Sequence, residues 1–299
     1  MEKRLIIIDS NALLHRSFHA LPPLANSLGQ ETGAVYGFLL TLFKAIKDLN
    51  PNYIVACFDT KAKTFRHEQY KEYKAQRPVT PSGIISQIPI TKEVLEKFGI
   101  PVFAKDGFEA DDLIATISKL AQEQDKDLEI FILTGDLDNL QLVNKKVKVY
   151  TLGRGIKDTV IYDINKVEER FGVKPEQMIE FKALTGDPSD NIPGVEGIGK
   201  KTAAEIIQKY GTVKKLYDEL STDTAVLKPK VKEALKQNKE TAMMSLDLVK
   251  MKNNVDIDFK IQNCEFEKYN NIEVEGKLRE LEFNSLVGHL PKKVSKDHE

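Results

Sequence analysis

Four short apolar runs constrain the fold of this chain more than any other feature of its sequence. They are rich in β-branched and other apolar residues, and they cover residues 4–8, 53–58, 128–134 and 146–151. Helical spacing of apolar residues lies between them, at 35–49, 85–99 and 113–124. Buried strands that alternate with helices are typical of a parallel sheet covered on both faces. The pattern therefore predicts an α/β core.

The pattern changes at about residue 160, beyond which helical segments dominate. Pro175 is expected at the first position of a helix, before EQMIEFKAL. The sequence thus predicts an α/β core over 1–160, which includes a basic segment at about 61–100, and a helical region over 161–290. Residues 291–299 are expected to form a flexible tail.

Composition excludes several classes of protein. The 299 residues are 41% hydrophobic and 30% charged, which suits a soluble globular protein. With Lys+Arg at 44 and Asp+Glu at 45, total charge argues neither for nor against a nucleic-acid partner. Cys57 and Cys264 suggest neither a disulfide framework nor a Cys-rich zinc site. We expect a cytoplasmic monomer without a membrane partner, because the N-terminal apolar run ends at Asp9 and no segment reaches transmembrane length.

Acidic residues follow three of the predicted strands. Asp9 comes directly after the first run, Asp59 after the second, and Asp136 and Asp138 after the third. A single aspartate after a strand is usually a turn residue or a helix cap. Ligands of parallel α/β sheets, however, bind at the carboxyl ends of the strands. Three neighbouring occurrences therefore favour an acidic cluster at one sheet edge.

Two further acidic groups fit this cluster. Helix chemistry alone would explain acids in a first helical turn, where they meet free N–H groups. The first group opens the helix at 113 and the second lies in TGDPSDN; together they are Glu109, Asp111, Asp112, Asp187 and Asp190. No His or Cys accompanies them, so an all-carboxylate site for Mg²⁺ or Mn²⁺ is favoured over zinc. A two-ion phosphoryl-transfer site is the natural interpretation.

A basic, aromatic segment follows Asp59. Residues 61–77 carry a net charge of +4, with Phe65, Tyr70 and Tyr73 interleaved. Its basic residues are Lys61, Lys63, Arg66, Lys71, Lys74 and Arg77. A solvated helix face is one interpretation. The other is that these cations hold phosphates while the aromatic rings stack on unpaired bases. Arg16 lies one or two helical turns beyond Asp9, where it could also bind a phosphate.

The segment 191–207, NIPGVEGIGKKTAAEII, is typical of a helix–hairpin–helix. Its tight turn and the start of its second helix contain Gly194, Gly197, Gly199, Lys200, Lys201 and Thr202. The glycine spacing differs from that of a Walker A loop. Such a hairpin presents backbone N–H groups to duplex phosphates without reading sequence, whereas the alternative is a simple αα-turn.

Four phrases, in this order and spacing, resemble the 5′-nuclease (flap endonuclease) family, above all the N-terminal 5′→3′ exonuclease domains of bacterial DNA polymerases I. They lie at 58–78, 107–117, 134–142 and 185–203, and the resemblance extends to about residue 290. It implies a PIN-like α/β core with a helical arch, followed by a helix–hairpin–helix region. Because no proofreading or polymerase region follows, the chain is expected to be either a free-standing nuclease or part of a polymerase.

The resemblance implies roles for matching residues. The first metal cluster would comprise Asp9, Asp59, Glu109 and Asp111, with Asp112 close by. The second would comprise Asp136, Asp138, Asp187 and Asp190. Arg66, Lys74 and Arg77 would lie in the arch that grips the displaced strand, with Lys71 beside them. Lys74 would touch the scissile phosphate, Tyr73 would stack on a base, and a monovalent cation such as K⁺ would lie in the hairpin.

The sequence departs from the family pattern at three positions. Ser10 follows Asp9 where glycine is frequent, Leu137 replaces a common lysine, and Asn139 replaces an apolar residue. All the implied metal ligands remain, so we expect these changes to affect rate and preference more than the chemistry.

The implied activity is two-metal, Mg²⁺-dependent hydrolysis of DNA at 5′ flaps, nicks, branches and 5′ ends, with Mn²⁺ as a substitute ion. RNA primers are expected substrates as well. Three alternatives stay open at this point: an RNA-cleaving PIN-like nuclease, a catalytically weak DNA-junction binder, and a phosphatase acting on small esters. The basic segment and the hairpin argue against the first, the intact carboxylates against the second, and the lack of a compact phosphate loop against the third.

Overall fold

A computed structural model of the chain describes residues 3–153, 158–266 and 269–291. The strands of its one sheet are β1 Arg4–Asp9, β2 Tyr53–Cys57, β3 Val102–Phe103, β4 Glu129–Leu133, β5 Val147–Leu152 and β6 Thr159–Tyr162. Their order is β3-β2-β1-β4-β5-β6, and only β6 is antiparallel to its neighbour. The four predicted strands are confirmed. The prediction missed β3, which has two residues, and β6, a half-buried edge strand.

The helices of the core lie between the strands. They are α1 Ser10–Ala20, α2 Gly33–Leu49, α3 Phe65–Gln69, α4 Ser82–Ile85, α5 Gln87–Lys97 and α6 Ala110–Gln124. The helices predicted at 35–49, 85–99 and 113–124 are confirmed as α2, α5 and α6. The segment implied to be a helical arch, 61–100, contains α3, α4 and α5 together with a turn at 70–77.

The region after β6 is helical, as predicted. Its helices are α7 Ile164–Phe171, α8 Met178–Thr185, α9 Lys200–Tyr210, α10 Val213–Ser221, α11 Pro229–Gln237, α12 Lys239–Val249, α13 Asn271–Glu280 and α14 Asn284–Val287. Pro175 begins a 3₁₀ turn, Pro175–Gln177, directly before α8. Of the tail predicted at 291–299, all but Pro291 lies outside the described residues. Within the described ranges, none of the helices has the length and apolar character needed to cross a bilayer.

Both faces of the sheet are covered, because alternate residues of β1 point into two different apolar clusters. Leu5 and Ile7 pack with α6 and with the helical region. Ile6 and Ile8 pack with α2, α5 and α13 on the other face. This arrangement explains why the strands read as continuous apolar runs. The first cluster also joins the sheet to α8–α10, so that the two regions share a core.

One buried ion pair ties three distant segments together. Both terminal nitrogens of Arg66 donate to the two oxygens of Asp112, at 2.8 and 2.9 Å. Arg66 also donates to the carbonyls of Leu248 and Lys250, and Asp112 accepts from the backbone N–H of Lys252. Both side chains are almost fully buried. The pair therefore joins α3, α6 and the chain that follows α12.

The hairpin between α8 and α9 depends on two glycines in contact. A Cβ on Gly194 would lie 2.4 Å from the backbone nitrogen of Gly186 and 2.4 Å from the carbonyl carbon of Thr185. Gly186 itself has a φ of +72°, a region that favours glycine. Gly199, by contrast, has open space around its Cα. The close backbone approach is thus specific to the base of the hairpin.

We expect Gly194→Ala to lower the free energy of unfolding by about 1–3 kcal/mol, because the backbones must separate to admit the new methyl group. Gly199→Ala, the matched control in the same hairpin, should cost less than about 1 kcal/mol. Urea unfolding of the two variants measures the difference. Equal losses would contradict the close contact at Gly194.

We expect Arg66→Met to lower the free energy of unfolding by about 3–5 kcal/mol, because it leaves the Asp112 carboxylate buried and unpaired. The control is Arg279→Met, since Arg279 and Glu275 form an exposed pair at 3.8 Å. The loss there should stay below about 1 kcal/mol. Urea unfolding is again the measurement, and a loss at Arg66 no larger than at Arg279 would contradict the structural role.

Candidate metal and nucleic-acid site

The sheet topology brings the predicted acidic residues to one edge. In the sheet β1 lies between β2 and β4, and Asp9, Asp59 and Asp136 lie at or just beyond the carboxyl ends of these three strands. They line a cleft of about 570 Å³. The predicted ligands that line it are Asp9, Asp59, Glu109, Asp111, Asp136 and Asp190.

Local hydrogen bonds orient these carboxylates. Asp9 caps α1 by accepting from the backbone N–H of Ala12, and it also accepts from the Thr134 hydroxyl at 2.6 Å. Asp59 accepts from the N–H of Ala110, at the start of α6, at 2.8 Å. The acids thus serve as helix-terminus partners and as members of the cluster at the same time.

Two further predicted ligands are bridged by a lysine. The ammonium group of Lys182, in the last turn of α8, contacts Asp138 closely and lies 2.8 Å from Asp187. Asp187 also accepts from the backbone and hydroxyl of Ser189, at 3.0 and 2.6 Å. Burial acts to raise the pKa of Asp187, but Lys182 and Ser189 outweigh it and lower the pKa to about 2.

Crowding and burial perturb the other carboxyl groups. Burial, together with the charges of Asp59 and Asp136, raises the pKa of Asp9 to about 7. Burial and Asp136 raise the pKa of Asp138 to about 8 despite Lys182. The pKa of Asp111 is raised well above its usual value by burial and by Asp9. Close carboxylates of this kind require positive charge among them if all are to ionise.

The donor chemistry fits a hard divalent cation, since the cluster offers only carboxylate oxygens. Cationic side chains lie between several of the carboxylates in this conformation. Among the described residues no three His, Cys, Asp or Glu side chains are already arranged so that they could hold an ion. Ion binding would therefore require side chains in the cluster to move.

Lys74 and Arg77 cover the carboxylates from the turn at 70–77. Lys74 lies 2.6 Å from Glu109 and 3.7 Å from Asp190, and Arg77 pairs with Asp190. The backbone of Lys74 has a φ of +56° and is held by its N–H bond to the carbonyl of Asp190 at 2.9 Å. Lys61, Lys74 and Arg77 line the same cleft as the carboxylates. Lys71 is exposed and is not among the cleft residues.

The structure gives three of the predicted site residues different positions from those expected. The Tyr73 ring is only 3% exposed, and its hydroxyl donates to Glu109 and Asp190, so it cannot stack on a base in this conformation. Arg66 is buried against Asp112, and in this conformation its guanidinium does not face the cleft. Asp112, with no exposed surface, uses both oxygens for Arg66 and backbone N–H groups and has no position left for an ion.

Arg16 also lies elsewhere than expected. Its guanidinium donates to the backbone carbonyls of Leu152 and Gly153, beside β5, and Arg16 is not among the residues that line the cleft. Its position one or two turns along α1 was predicted correctly, but the direction of a long side chain depends on which acceptors the neighbouring strand offers.

The three departures from the family pattern have different surroundings. Asn139 is buried and donates to Asp111 at 2.9 Å, so it orients a predicted ligand. Leu137 packs against the apolar core, and Ser10 is buried at the start of α1. Thr134, Ser189 and Lys182, which contact these carboxylates, were not predicted as site residues. For Lys182 there was a signal, a lysine in the last turn of the mostly apolar helix that leads to Asp187.

The helix–hairpin–helix prediction matches the local structure. The turn between α8 and α9 contains Gly194, Gly197 and Gly199, and Gly197 has a φ of +81°. Lys200 begins α9, Lys201 follows it, and both are exposed, while Thr202 is half-buried in the same turn. The N-terminus of α9, with its unpaired backbone N–H groups, thus carries two lysines. Such a helix N-terminus favours the binding of a phosphate group.

The comparisons with known proteins agree with this architecture. Residues 4–172 match the family model of the 5′-3′ exonuclease N-terminal resolvase-like domain, and residues 173–272 match that of the 5′-3′ exonuclease C-terminal SAM fold. The Aquifex aeolicus 5′-3′ exonuclease is 38% identical over 290 residues, which cover 97% of this chain and 96% of that protein. Bacillus subtilis DNA polymerase I is 37% identical over 96% of this chain, but the chain spans only about a third (32%) of that relative's length.

A solved structure adds to the comparison. A bacteriophage T5 flap endonuclease, crystallised in a complex with DNA and metal ions, has a TM-score of 0.64 and 27% identity, and the match covers 83% of this chain and 89% of that one. The two family models together match residues 4–272 without a gap, which is most of the chain. The chain belongs to the 5′-3′ exonuclease family.

Proposed function

We propose that this chain hydrolyses phosphodiester bonds in DNA at 5′ flaps, nicks and 5′ ends, using divalent metal ions held by the carboxylate cluster. The observation that carries the proposal is the cleft itself. Six carboxylates line it together with Lys61, Lys74 and Arg77. Carboxylates that can bind metal ions and basic side chains that can bind phosphate thus line the same cleft.

Two Mg²⁺ ions, or Mn²⁺ in their place, suit the number and type of these ligands. One set would be Asp9, Asp59, Glu109 and Asp111, and the other would be Asp136, Asp138, Asp187 and Asp190. Bound divalent ions supply an activated water and stabilise the charge that develops on the phosphate and on the leaving oxygen. Asp112 is left out of both sets because Arg66 occupies its oxygens.

Side chains of the turn at 70–77 would position the substrate. The Lys74 ammonium already reaches Glu109 and would bind a phosphate oxygen placed in the cleft, and Arg77 would bind a neighbouring one. The backbone of Lys74, with its positive φ and its N–H bond to the carbonyl of Asp190, directs this lysine, and the Tyr73 hydroxyl holds its partner Glu109. Cleavage of the bond between phosphorus and the 3′ oxygen leaves a 3′-hydroxyl and a 5′-phosphate.

Duplex DNA would lie along the hairpin. Lys200 and Lys201, in the first turn of α9, and the N–H groups there would contact phosphates rather than base edges, so recognition should follow shape and not sequence. RNA primers annealed to DNA should therefore also be cut, and K⁺ is a candidate ion for the hairpin. The related phage enzyme crystallised with DNA and metal ions supports DNA as the partner. We propose that the chain acts as a monomer.

Asp136→Ala should lower cleavage of a 5′-labelled flap duplex at least about a hundredfold. Replacing a residue that only hydrogen-bonds to a metal ligand already lowers activity by up to about a hundredfold, and loss of the ligand itself should cost more. Its affinity for the flap should change little. Asp127→Ala is the control, since Asp127 is exposed in the loop before β4, at the other end of the sheet. Wild-type protein should yield a short labelled product with Mg²⁺ and none with EDTA.

The outcomes of this assay separate the proposal from its rivals. Binding of the flap without product under either condition would indicate a junction-binding protein. Cleavage confined to an RNA flap would indicate an RNA-specific nuclease. Near-normal cleavage by Asp136→Ala would remove Asp136 from the metal ligands.

The double variant Lys200→Gln/Lys201→Gln should weaken duplex binding and reduce the slope of log K against log salt by about 2, because each lost phosphate contact lowers the slope by about 1. The control Lys260→Gln/Lys119→Gln removes two exposed lysines outside the hairpin. Fluorescence anisotropy at several salt concentrations measures the slopes. Equal slopes in wild type and the hairpin variant would rule out phosphate contacts by these lysines.

A further inference from the structure

We propose that Lys182 is an internal counter-cation of the second carboxylate set, and that it weakens metal binding at Asp138 and Asp187 in the DNA-free protein. The proposal rests on the proposed function, since it concerns the affinity of the same metal site. It assigns to Lys182 a role in setting how tightly the second ion is held.

The position of Lys182 carries the inference. Its ammonium group bridges Asp138 and Asp187, which lie on different segments of the chain, and its side chain is only 15% exposed. Among the described residues these two carboxylates are its ion-pair partners. The group therefore lies where a cation shared by the two carboxylates would lie.

The fold fixes this position from both sides. Lys182 belongs to the last turn of α8, and the chain passes through Gly186 directly into Asp187. The backbone of Asp187 is held by its two hydrogen bonds with Ile192, at 2.8 and 2.9 Å, at the base of the hairpin. Lys182 and Asp187 are therefore held near each other by a short, hydrogen-bonded segment, and Asp138 joins them from the 3₁₀ turn Asp138–Leu142 that follows β4.

The charges give the direction of the effect. An ammonium group between two carboxylates neutralises part of the charge that attracts a divalent ion, and it also repels that ion at short range. The ion must displace the ammonium group or share its ligands. Removing the positive charge while keeping the length of the side chain should therefore tighten ion binding, although the carboxylates would repel each other more strongly when no ion is present.

The experiment is a titration of Mn²⁺ into DNA-free protein, followed by calorimetry and by the electron paramagnetic resonance of free Mn²⁺. Lys182→Met should bind the weaker of the bound ions about tenfold more tightly than wild type, or gain a second ion if wild type binds only one. Lys182→Arg, which keeps the charge, should retain an affinity close to that of wild type.

The matched control is Lys148→Met. Lys148 also pairs with a carboxylate, that of Glu129 at 2.8 Å, but lies outside the cluster. Its Mn²⁺ affinity should equal that of wild type. If this variant bound Mn²⁺ as tightly as Lys182→Met, general loss of positive charge would explain the result and the proposal would fail.

Thermal unfolding gives a second measurement that a purely structural role would not reproduce. Lys182→Met should melt below wild type in EDTA, and Mn²⁺ should raise its melting temperature by more than it raises that of wild type, because tighter binding stabilises the folded state further. Lys182→Gln repeats the test if the methionine variant does not fold.

Two further results would overturn the proposal, and they are distinguishable from each other. Unchanged or weaker Mn²⁺ binding by Lys182→Met, with normal binding by wild type, would refute the role of Lys182 and leave the metal-dependent nuclease intact. Absence of Mn²⁺ binding by wild type and by both variants of Lys182 would refute the metal centre itself.

Discussion

The ion pair between Arg66 and Asp112 is the contact on which the arrangement of the site depends. Three segments that are distant in sequence meet there: the helix before the turn at 70–77, the first turn of α6, and the chain that leaves α12. Burying two charges is costly unless their hydrogen bonds are complete, and here each partner has four or more. The pair thus fixes Lys74 and the carboxylates of α6 relative to one another.

Charge compensation explains the rest of the cluster. The protein places many carboxylates at one sheet edge, where burial and mutual repulsion raise the pKa values of Asp9, Asp111 and Asp138. Two lysines pair with acids of the cluster, Lys74 with Glu109 and Lys182 with Asp138. An ion that enters the cleft must therefore displace these ammonium groups or share their carboxylates, and the side chains of the cluster must move to admit it.

Sequence reasoning was most successful where local pattern and sheet geometry act together. The positions of Asp9, Asp59 and Asp136 follow from strand ends alone, because the side chains at those ends must meet if the strands are parallel neighbours. It did not anticipate which partners the longer side chains contact in this conformation. We predicted that Arg66 and Tyr73 contact the substrate and that Asp112 lies at the metal site. In the structure each forms hydrogen bonds with a segment far along the chain. Lys182 was missed because a lysine near a helix end is usually a solvated residue.

The α/β core, the acidic edge, the hairpin and the family could all be predicted from the sequence, because apolar periodicity, strand-end acids and glycine spacing are local properties. Tertiary structure alone decided which acids face the cleft, which cations neutralise them, and that the turn at 70–77 folds onto the carboxylates instead of exposing its aromatic rings. Several of the contacts behind these outcomes join residues far apart in the sequence, such as Tyr73 with Asp190 and Arg66 with Leu248, which are 117 and 182 positions apart. No local pattern encodes such pairings, since they are selected by the packing that brings the partners together.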